Sequence, residues 1–554
     1  LEELAAPGGY YSNFKLEVGF SDEVVIQGDQ AWQKRDGNVG QLEGFARAMA
    51  MCQMWMTTSA LLLPERGAPV PELAGESEDG MAWVLTIPLA EGVPYQILID
   101  KQSGLPQRTI ISVGAESMHR IFEDWRTVAG VRLPFRETNL MLPQDERILY
   151  EFTEIAIDLP LPPEAFDRPA EDAPPFTFAN GENSLGIPFE VVSNKVLFEV
   201  GVNGRPAWFI LDTGAGSTSL DTDFARGLGL QMTPMGSSGG AGVELVDTYA
   251  VQGVRLELPG MTFREQSLDT VPLGTGISSV EGRPIHGLFG GNLIGRLVIE
   301  VDYARRLLHF YDPAYYPGRS TAGVLPVSVQ FGLPFVQAVV TLPGCAPVEG
   351  NFLVDLGVRA ALSLSTPFVN RHNLMQSAQE LVPTTIGWGI GGQVTEHIGR
   401  GDLQLGGHAF RNIVIGLSQA TAGAESAEFM NGIIGGQIMR RFFLVLDYSR
   451  QRLLLEPNAD HAAPFEFDMS GMFIRSNAPD FDRLFVLSVT PGSAAAQAGL
   501  QPGDELALLD GQPFTATSVE QVRQMFLQPA RTCILGVRRG DRTFEAALTT
   551  RRLV

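Results

Sequence analysis

Basic charge is in short supply in this 554-residue chain: 40 lysines and arginines stand against 63 aspartates and glutamates, a net charge of −23. Nucleic acids and anionic membrane surfaces attract basic faces, and no compact Lys/Arg cluster supplies one, so neither is expected as a partner. Cysteine is nearly absent. Cys52, Cys345 and Cys533 lie far apart and form neither a metal spacing nor a disulfide framework. The seven histidines are scattered, with no HExxH and no Cys/His cluster, which argues against a metal site and leaves no cofactor expected. Long hydrophobic runs are missing too. The best candidate, "AMAMCQMWMTTSALLLP" from Ala48, is short for a membrane span and contains Gln53, Thr57 and Thr58, so it reads as a helix packed on a sheet. The chain begins at Leu1 instead of Met and is read as a processed or trimmed product.

Glycine and proline are plentiful, at 61 and 36 residues. With 44% hydrophobic and 19% charged residues, they describe a globular, turn-rich, mainly β chain. Its length exceeds what one core holds, so several domains are expected. Residues 1–170 alternate strand-like runs with turns around one helical segment, which predicts a curved sheet wrapped on a helix. The pieces "YQILIDKQSGLPQR", "DWRTVAGVRLPF" and "LPPEAFDRP" resemble the LolA-like half-barrel domains of bacterial envelope proteins. That resemblance implies a half-barrel, truncated at its N-terminus, of a kind that cradles apolar or lipidated ligands. A sheet that only scaffolds its neighbours is the alternative. "RPAEDAPPFTFANGENS" (168–184) is Pro-rich and acidic, and a linker is expected over 171–182.

The next stretch raises a chemical question. In "FILDTGAGSTSL" (209–220) an apolar strand-like run stops at Asp212, and Gly214 and Gly216 then permit a tight turn. Such a junction fixes a carboxylate while leaving it accessible, and a useful carboxylate needs a partner. An internal repeat supplies one. "HGLFGGNLIGRLVIEVDYARRLLHFYDP" (286–313) follows Asp212. "FLVDLGVRAALSLS" (352–365) is followed by "NGIIGGQIMRRFFLVLDYSRQRLLLEPN" (431–458). Asp212 precedes Gly287 by 75 residues and Asp355 precedes Gly432 by 77; Asp212 precedes Asp302 by 90 and Asp355 precedes Asp447 by 92. Two copies thus lie 143 to 145 residues apart, and Asp355 is the equivalent of Asp212.

Amide hydrolysis without a metal or covalent nucleophile needs a base to activate water and an acid to polarise the carbonyl. Two carboxylates sharing one proton supply both, because like charges a few ångströms apart cannot both ionise cheaply. A duplicated domain brings one aspartate from each copy to its pseudo-symmetry axis. The glycine-rich "MGSSGGAGVELV" (235–246) and "TIGWGIGGQVTEHIG" (385–399) fit hairpin flaps that close over an extended substrate, with Gly239, Gly240, Trp388, Gly389 and Gly391 as flap candidates. Asp302 and Asp447 read as strand-end structural acids pairing with Arg305 and Arg450. "GSSGG" (236–240) fits a serine-nucleophile pattern but has no convincing His and Asp upstream and falls where the first flap should be.

"ILDTGAGS" with "GLFGGNLI" resembles the retropepsin-type aspartic proteases, here fused as two lobes in one chain as in pepsin-like enzymes. The resemblance spans residues 183–458 and implies lobes at 183–315 and 316–458, with Asp212 and Asp355 as the catalytic dyad. It makes Thr213 a hydroxyl bracing the floor of the site, with Gly214 and Gly357 keeping the turns open. The turns ending at Gly290 and Gly435 pack behind the aspartates. Leu356 stands where Thr or Ser is expected, which leaves two readings: an intact dyad with an asymmetric floor, or a decayed lobe that binds peptide without cutting it.

Beyond the repeat, "LFVLSVTPGSAAAQAGLQPGDELALLDGQPF" (484–514) resembles PDZ domains of the bacterial envelope-protease type, over residues 464–554. PDZ domains add a peptide strand to a sheet edge. "GMFI" places the peptide-binding loop at Gly471, Met472, Phe473 and Ile474, with Phe473 where a small residue often stands. The expected whole is a periplasmic or secreted aspartic endopeptidase. Its partners would be a peptide or protein substrate and a C-terminal peptide at the PDZ domain. A non-catalytic peptide- or lipoprotein-binding protein on a protease-derived scaffold and an HtrA-like serine protease are the alternatives.

Overall fold

The computed structural model describes residues 2–6, 9–15, 21–35, 38–62, 68–88, 94–113, 116–142, 146–170, 172, 174–319, 323–514 and 518–554. The chain is mainly β and divides into two compact units, Leu1–Ala173 with Ser426–Phe429, and Pro174–Glu425 with Met430–Val554.

The first unit holds two antiparallel meanders. Five consecutive strands from Glu2–Ala6 to Asn38–Gln41 form one, and seven from Glu72–Glu76 to Glu146–Glu151 form the other. Between them in sequence, the apolar segment around Ala48 forms the helix Gly44–Thr57, which buries Phe45, Ala46, Met51, Cys52 and Met54 and packs on the strands Ser21–Gln27 and Gln30–Arg35. No helix among the described residues is long and apolar enough to cross a membrane.

In the second unit the sequence repeat becomes a spatial one. In the first copy Arg205–Leu211 runs parallel to the short strand Gly287–Phe289, and Ser219–Asp221 lies antiparallel on that strand's other side. In the second copy Val348–Asp355 runs parallel to Gly432–Gly435, flanked in the same way by Leu362–Leu364. The copies meet where Val298–Asp302 pairs antiparallel with Phe442–Asp447. That ladder opposes Glu300 to Val445, which are themselves equivalents 145 residues apart, so a pseudo-twofold passes between them. One core runs through both copies, from Phe198, Phe209 and Phe289 to Val354, Leu356 and Ile434.

Asp302 and Asp447 end those central strands. Asp302 accepts the Arg305 amide at 2.9 Å, and Asp447, fully buried, accepts from Arg450 at 3.0 Å and Arg452 at 2.8 Å. The C-terminal part of the unit is a five-strand path from Met472–Ser476 to Arg542–Thr549, with helices Ala494–Gln497 and Ser518–Met525 closing a separate core.

Candidate active site

Each aspartate sits at the buried end of a strand. Lys195–Val202 turns through Asn203 and Gly204, both at positive φ, into Arg205–Leu211. Two such residues suit a tight hairpin whose twist matches its strands. Phe209 and Leu211 point into the common core and Ile210 into an apolar cluster on the opposite face, so Asp212 is the first residue free to turn aside. Gly287 must lack a side chain, because a β-carbon there would enter the Phe209 ring. Asp355 ends Val348–Asp355 in the same way.

The two carboxylates are held symmetrically. Asp212 Oδ1 accepts the Gly214 amide at 3.0 Å, and Asp355 Oδ1 accepts the Gly357 amide at 2.7 Å. The glycines also look across the axis. A β-carbon on Gly214 would strike the Asp355 carboxylate, and one on Gly357 would strike that of Asp212. Four residues thus form one reciprocal cluster, in which Asp355 is buried and Asp212 half-buried. Burial raises both carboxyls above the ordinary aspartate range. For Asp355 the charge of Asp212 adds to burial, and the group is pushed up to about 8. The Lys195 ammonium and the backbone amides oppose the rise at both. The two carboxyls titrate as a pair, because each ionises against the charge of the other.

The floor is asymmetric. Thr213 Oγ1 donates to the Val354 carbonyl at 2.7 Å and accepts the Leu356 amide at 2.9 Å, so the first copy clasps the second. Leu356 is wholly buried in the common core and has no hydroxyl to return that clasp. Behind the aspartates, Thr218 Oγ1 accepts the Gly290 amide at 3.0 Å and donates to Asn292 Oδ1 at 2.8 Å. The equivalent turn in the second copy uses backbone alone, with the Gly435 amide on the Ala361 carbonyl at 3.1 Å. Thr218 and Asn292 were not singled out from the sequence. The hydroxyl-rich "STS" after the glycines is the signal that could have shown Thr218.

Two hairpins, Thr233–Ser238 with Val246–Leu258 and Val382–Gly389 with Gly392–Leu405, carry the flap candidates, and their tips interlock. The Gly242 amide donates to the Ile390 carbonyl at 2.8 Å and the Glu244 amide to the Gly391 carbonyl at 2.9 Å. Gly240 abuts Ile390 and Gly389 abuts Ala241 so closely that neither admits a β-carbon. Gly239 is exposed beside this contact. Trp388 packs on Gly276, and Trp388 and Ile390 pack against the same apolar cluster as Ala215 of the Asp212 turn. Gly242 and Ile390 join the two tips, and sequence reasoning missed them because what they touch lies about 150 residues away. Ser237 and Ser238 of the "GSSGG" segment lie in the first hairpin, paired with Asp247 and Val246.

Gly471, Met472, Phe473 and Ile474 are all buried. The Phe473 ring lies 4.7 Å from the Arg359 guanidinium of the second copy. A cavity of about 130 Å³ lies at this seam, not at the aspartates, with Arg359, Glu396, Asp468, Phe473 and Arg523 on its walls. Among the described residues no cluster of His, Cys, Asp and Glu could hold a metal ion.

Residues 198–293 match a family model described as aspartyl protease, and residues 485–542 match one described as PDZ domain. The first match contains Asp212, Thr213 and Gly290 and ends before Asp355. The chain is similar to a solved structure, the crystal structure of aspartic proteinase from Irpex lacteus, with 13% identity over 50% of this chain and 99% of that one and a TM-score of 0.31. No curated protein matches. An aspartyl protease domain and a PDZ domain therefore stand side by side in the second unit.

Proposed function

We propose that the protein is an aspartic endopeptidase in which Asp212 and Asp355 activate one water between them. The observation that carries this reading is the reciprocal cluster: each carboxylate is held by its own glycine amide and pressed against the glycine of the other lobe. With one proton between them, the ionised carboxylate takes a proton from water as the water oxygen attacks the scissile carbonyl carbon and the protonated carboxyl donates to the carbonyl oxygen; the first acid then passes its proton to the nitrogen, the C–N bond breaks, and the second acid regains a proton from the gem-diol. Any side chain at Gly214 or Gly357 would collide with the opposite carboxylate, so the pair can approach only because both positions are glycine. Interlocked flaps would have to part to admit an extended peptide and would then hold it by backbone hydrogen bonds, with water excluded. Leu356 favours an asymmetric but intact floor, since the Thr213 clasp still ties the two strands together.

A peptide-library digest across pH with wild type, Asp212→Asn and Asp355→Asn tests the reading. Cleavage by wild type and by neither variant supports it. Peptide binding without cleavage would select the non-catalytic alternative, and cleavage blocked by serine reagents and untouched by the Asn variants would select the serine protease. We place the protein in the periplasm or outside the cell, with a LolA-like N-terminal domain of the ligand-cradling kind, on the sequence resemblance given above. Fractionation of the source cells checks the location.

A further inference from the structure

We propose that Lys195 is a positioning residue for the Asp212–Asp355 pair, and that the PDZ helix, through Arg523 and Glu281, fixes where its charge stands. The inference rests on the endopeptidase reading.

Register places the lysine. The ladder ends with Leu197 opposite Ile210, and Lys195 and Asp212 each lie two residues beyond that pair, at the same end of the hairpin. Two residues along a strand return to the same face, so Lys195 lies on the face of Leu197, at the end of the sheet where the neighbouring strand gives way to Asp212. Lys195 is 6% exposed, and its ammonium lies 2.7 Å from Glu281 Oε1, which is equally sequestered. The other Glu281 oxygen faces Arg523 at 3.5 Å. Burial pushes the Glu281 carboxyl up, but Lys195 and Arg523 outweigh it and hold it down to about 2. A buried trio of this kind is weak evidence of stabilisation, because apolar residues of similar volume often serve as well. The place of Lys195 at the end of the ladder that leads to Asp212 gives the trio a use. Burial drives both acids toward protonation, and the lysine opposes that at both.

Arg523 ties the trio to the PDZ domain. It lies on Ser518–Met525 and donates to Ser193 Oγ at 2.8 Å, the Val280 carbonyl at 2.5 Å and the Ile474 carbonyl at 3.4 Å. Ser476 Oγ donates to the Ser279 carbonyl at 3.0 Å, and Gly282 is pressed on Val519. The protease turn Ser279–Gly282 therefore occupies the space between Met472–Ser476 and Ser518–Met525, where a PDZ domain would take a peptide strand. Around the trio stand Arg359, Asp468 and Glu520; the Glu520 carboxylate accepts the Ser193 amide at 3.2 Å. From the second lobe the buried phenol of Tyr448 senses both aspartates.

The test is the pH profile of peptide cleavage by the full-length protein, with thermal midpoints as the check on folding. Lys195→Met removes the cation, so both limbs of the profile should move to higher pH by about one pH unit. Glu281→Gln unbalances the lysine and should move them lower. Lys195→Arg should leave the limbs in place whatever its turnover. Opposite displacements are not expected of a purely structural trio. If Lys195→Met fails to fold, Lys195→Met with Glu281→Met removes both buried charges and should still move the limbs up, since of the two it is the lysine that acts on both acids. Limbs unmoved in a folded variant lacking Lys195, or moved the same way by Lys195→Met and Glu281→Gln, overturn the proposal. A wild type that cleaves nothing overturns the endopeptidase reading instead. The pH dependence of the thermal midpoint, displaced in the same directions, then decides the role of Lys195.

Discussion

The Thr213 hydroxyl takes the Leu356 amide at 2.9 Å, and Leu356 gives nothing back. Half of a twofold clasp is polar and half is core. Thr213→Val keeps the shape but strands the Val354 carbonyl and the Leu356 amide in a dry interior, and should cost about 1–3 kcal/mol of stability along with turnover. Leu356→Thr removes apolar volume and buries a hydroxyl in a floor packed around leucine. It should cost about 2–4 kcal/mol and add no activity. Chemical denaturation and peptide turnover of both variants check this, and a Leu356→Thr form that gains activity would show that the missing hydroxyl limits the enzyme.

Asp212→Asn and Asp355→Asn should each lower kcat by about three orders of magnitude or more, and the double variant should be hardly worse than either. Groups that share one proton and one water fail as a unit. A folded Asp355→Asn with near-wild-type turnover would remove Asp355 from the mechanism.

The same residue sets a slope in stability. Asp355 is pushed up to about 8, above the ordinary value of about 4 that it has when unfolded. The folded protein therefore binds more protons than the unfolded chain between those values, and stability falls as pH rises through that window. Asp355→Asn cannot ionise and its amide oxygen can still accept from Gly357. Its thermal midpoint should vary less from pH 4 to 8 and exceed that of the wild type near neutrality. Midpoints that fall in parallel for both proteins would contradict the raised carboxyl.

An acid optimum follows from a free aspartate, but burial extends the singly protonated pair upward. Cleavage should hold into mildly acidic and near-neutral solution and decline as pH passes the raised value of Asp355. A profile already lost by pH 5 would mean that the pair is wetter in solution than its packing implies.

The pairing of Asp212 with Asp355 was legible because the duplication writes it twice, at offsets of 143 and 145 residues, and because strand, Asp and Gly follow one another locally. What lies between distant segments was not. Glycines 240 and 389 suggested hairpin tips, but nothing local says that each tip is the other's docking surface. Lys195 is an ordinary hairpin residue until the ladder sets it at the same end of the hairpin as Asp212. Gly471–Ile474 read as an open peptide loop, since the turn that covers it lies about 190 residues earlier in the chain.

The flap contact gives its own prediction. Gly242 lies against Gly391 with no room for a β-carbon. Gly242→Ala should hold the tips apart and lower kcat/KM by about 100-fold, because a small misplacement of closing elements is costly in rate. The thermal midpoint should change little, since the tips lie outside the main core. Unchanged kcat/KM would mean that closure in the working enzyme does not use this contact.

Removing residues 464–554 distinguishes a tethered reader from a built-in one. A tethered PDZ domain supplies binding remote from the scissile bond, so its loss would spare short peptides and weaken protein substrates. The structure favours the other outcome. The cut takes Arg523 from Glu281 and leaves the Lys195–Glu281 pair facing water. It also strips Arg400 of the Phe465 carbonyl at 2.7 Å, breaks the bond between Thr384 and Thr490 at 2.6 Å, and removes Ser488 from Thr385 at 2.7 Å, the last two at the base of the second flap. Short-peptide cleavage should therefore fall along with protein cleavage, and the thermal midpoint should drop. Kinetics on both substrate classes with the truncated protein check it. A folded truncation that keeps wild-type turnover of short peptides would return the PDZ domain to the role of an accessory reader.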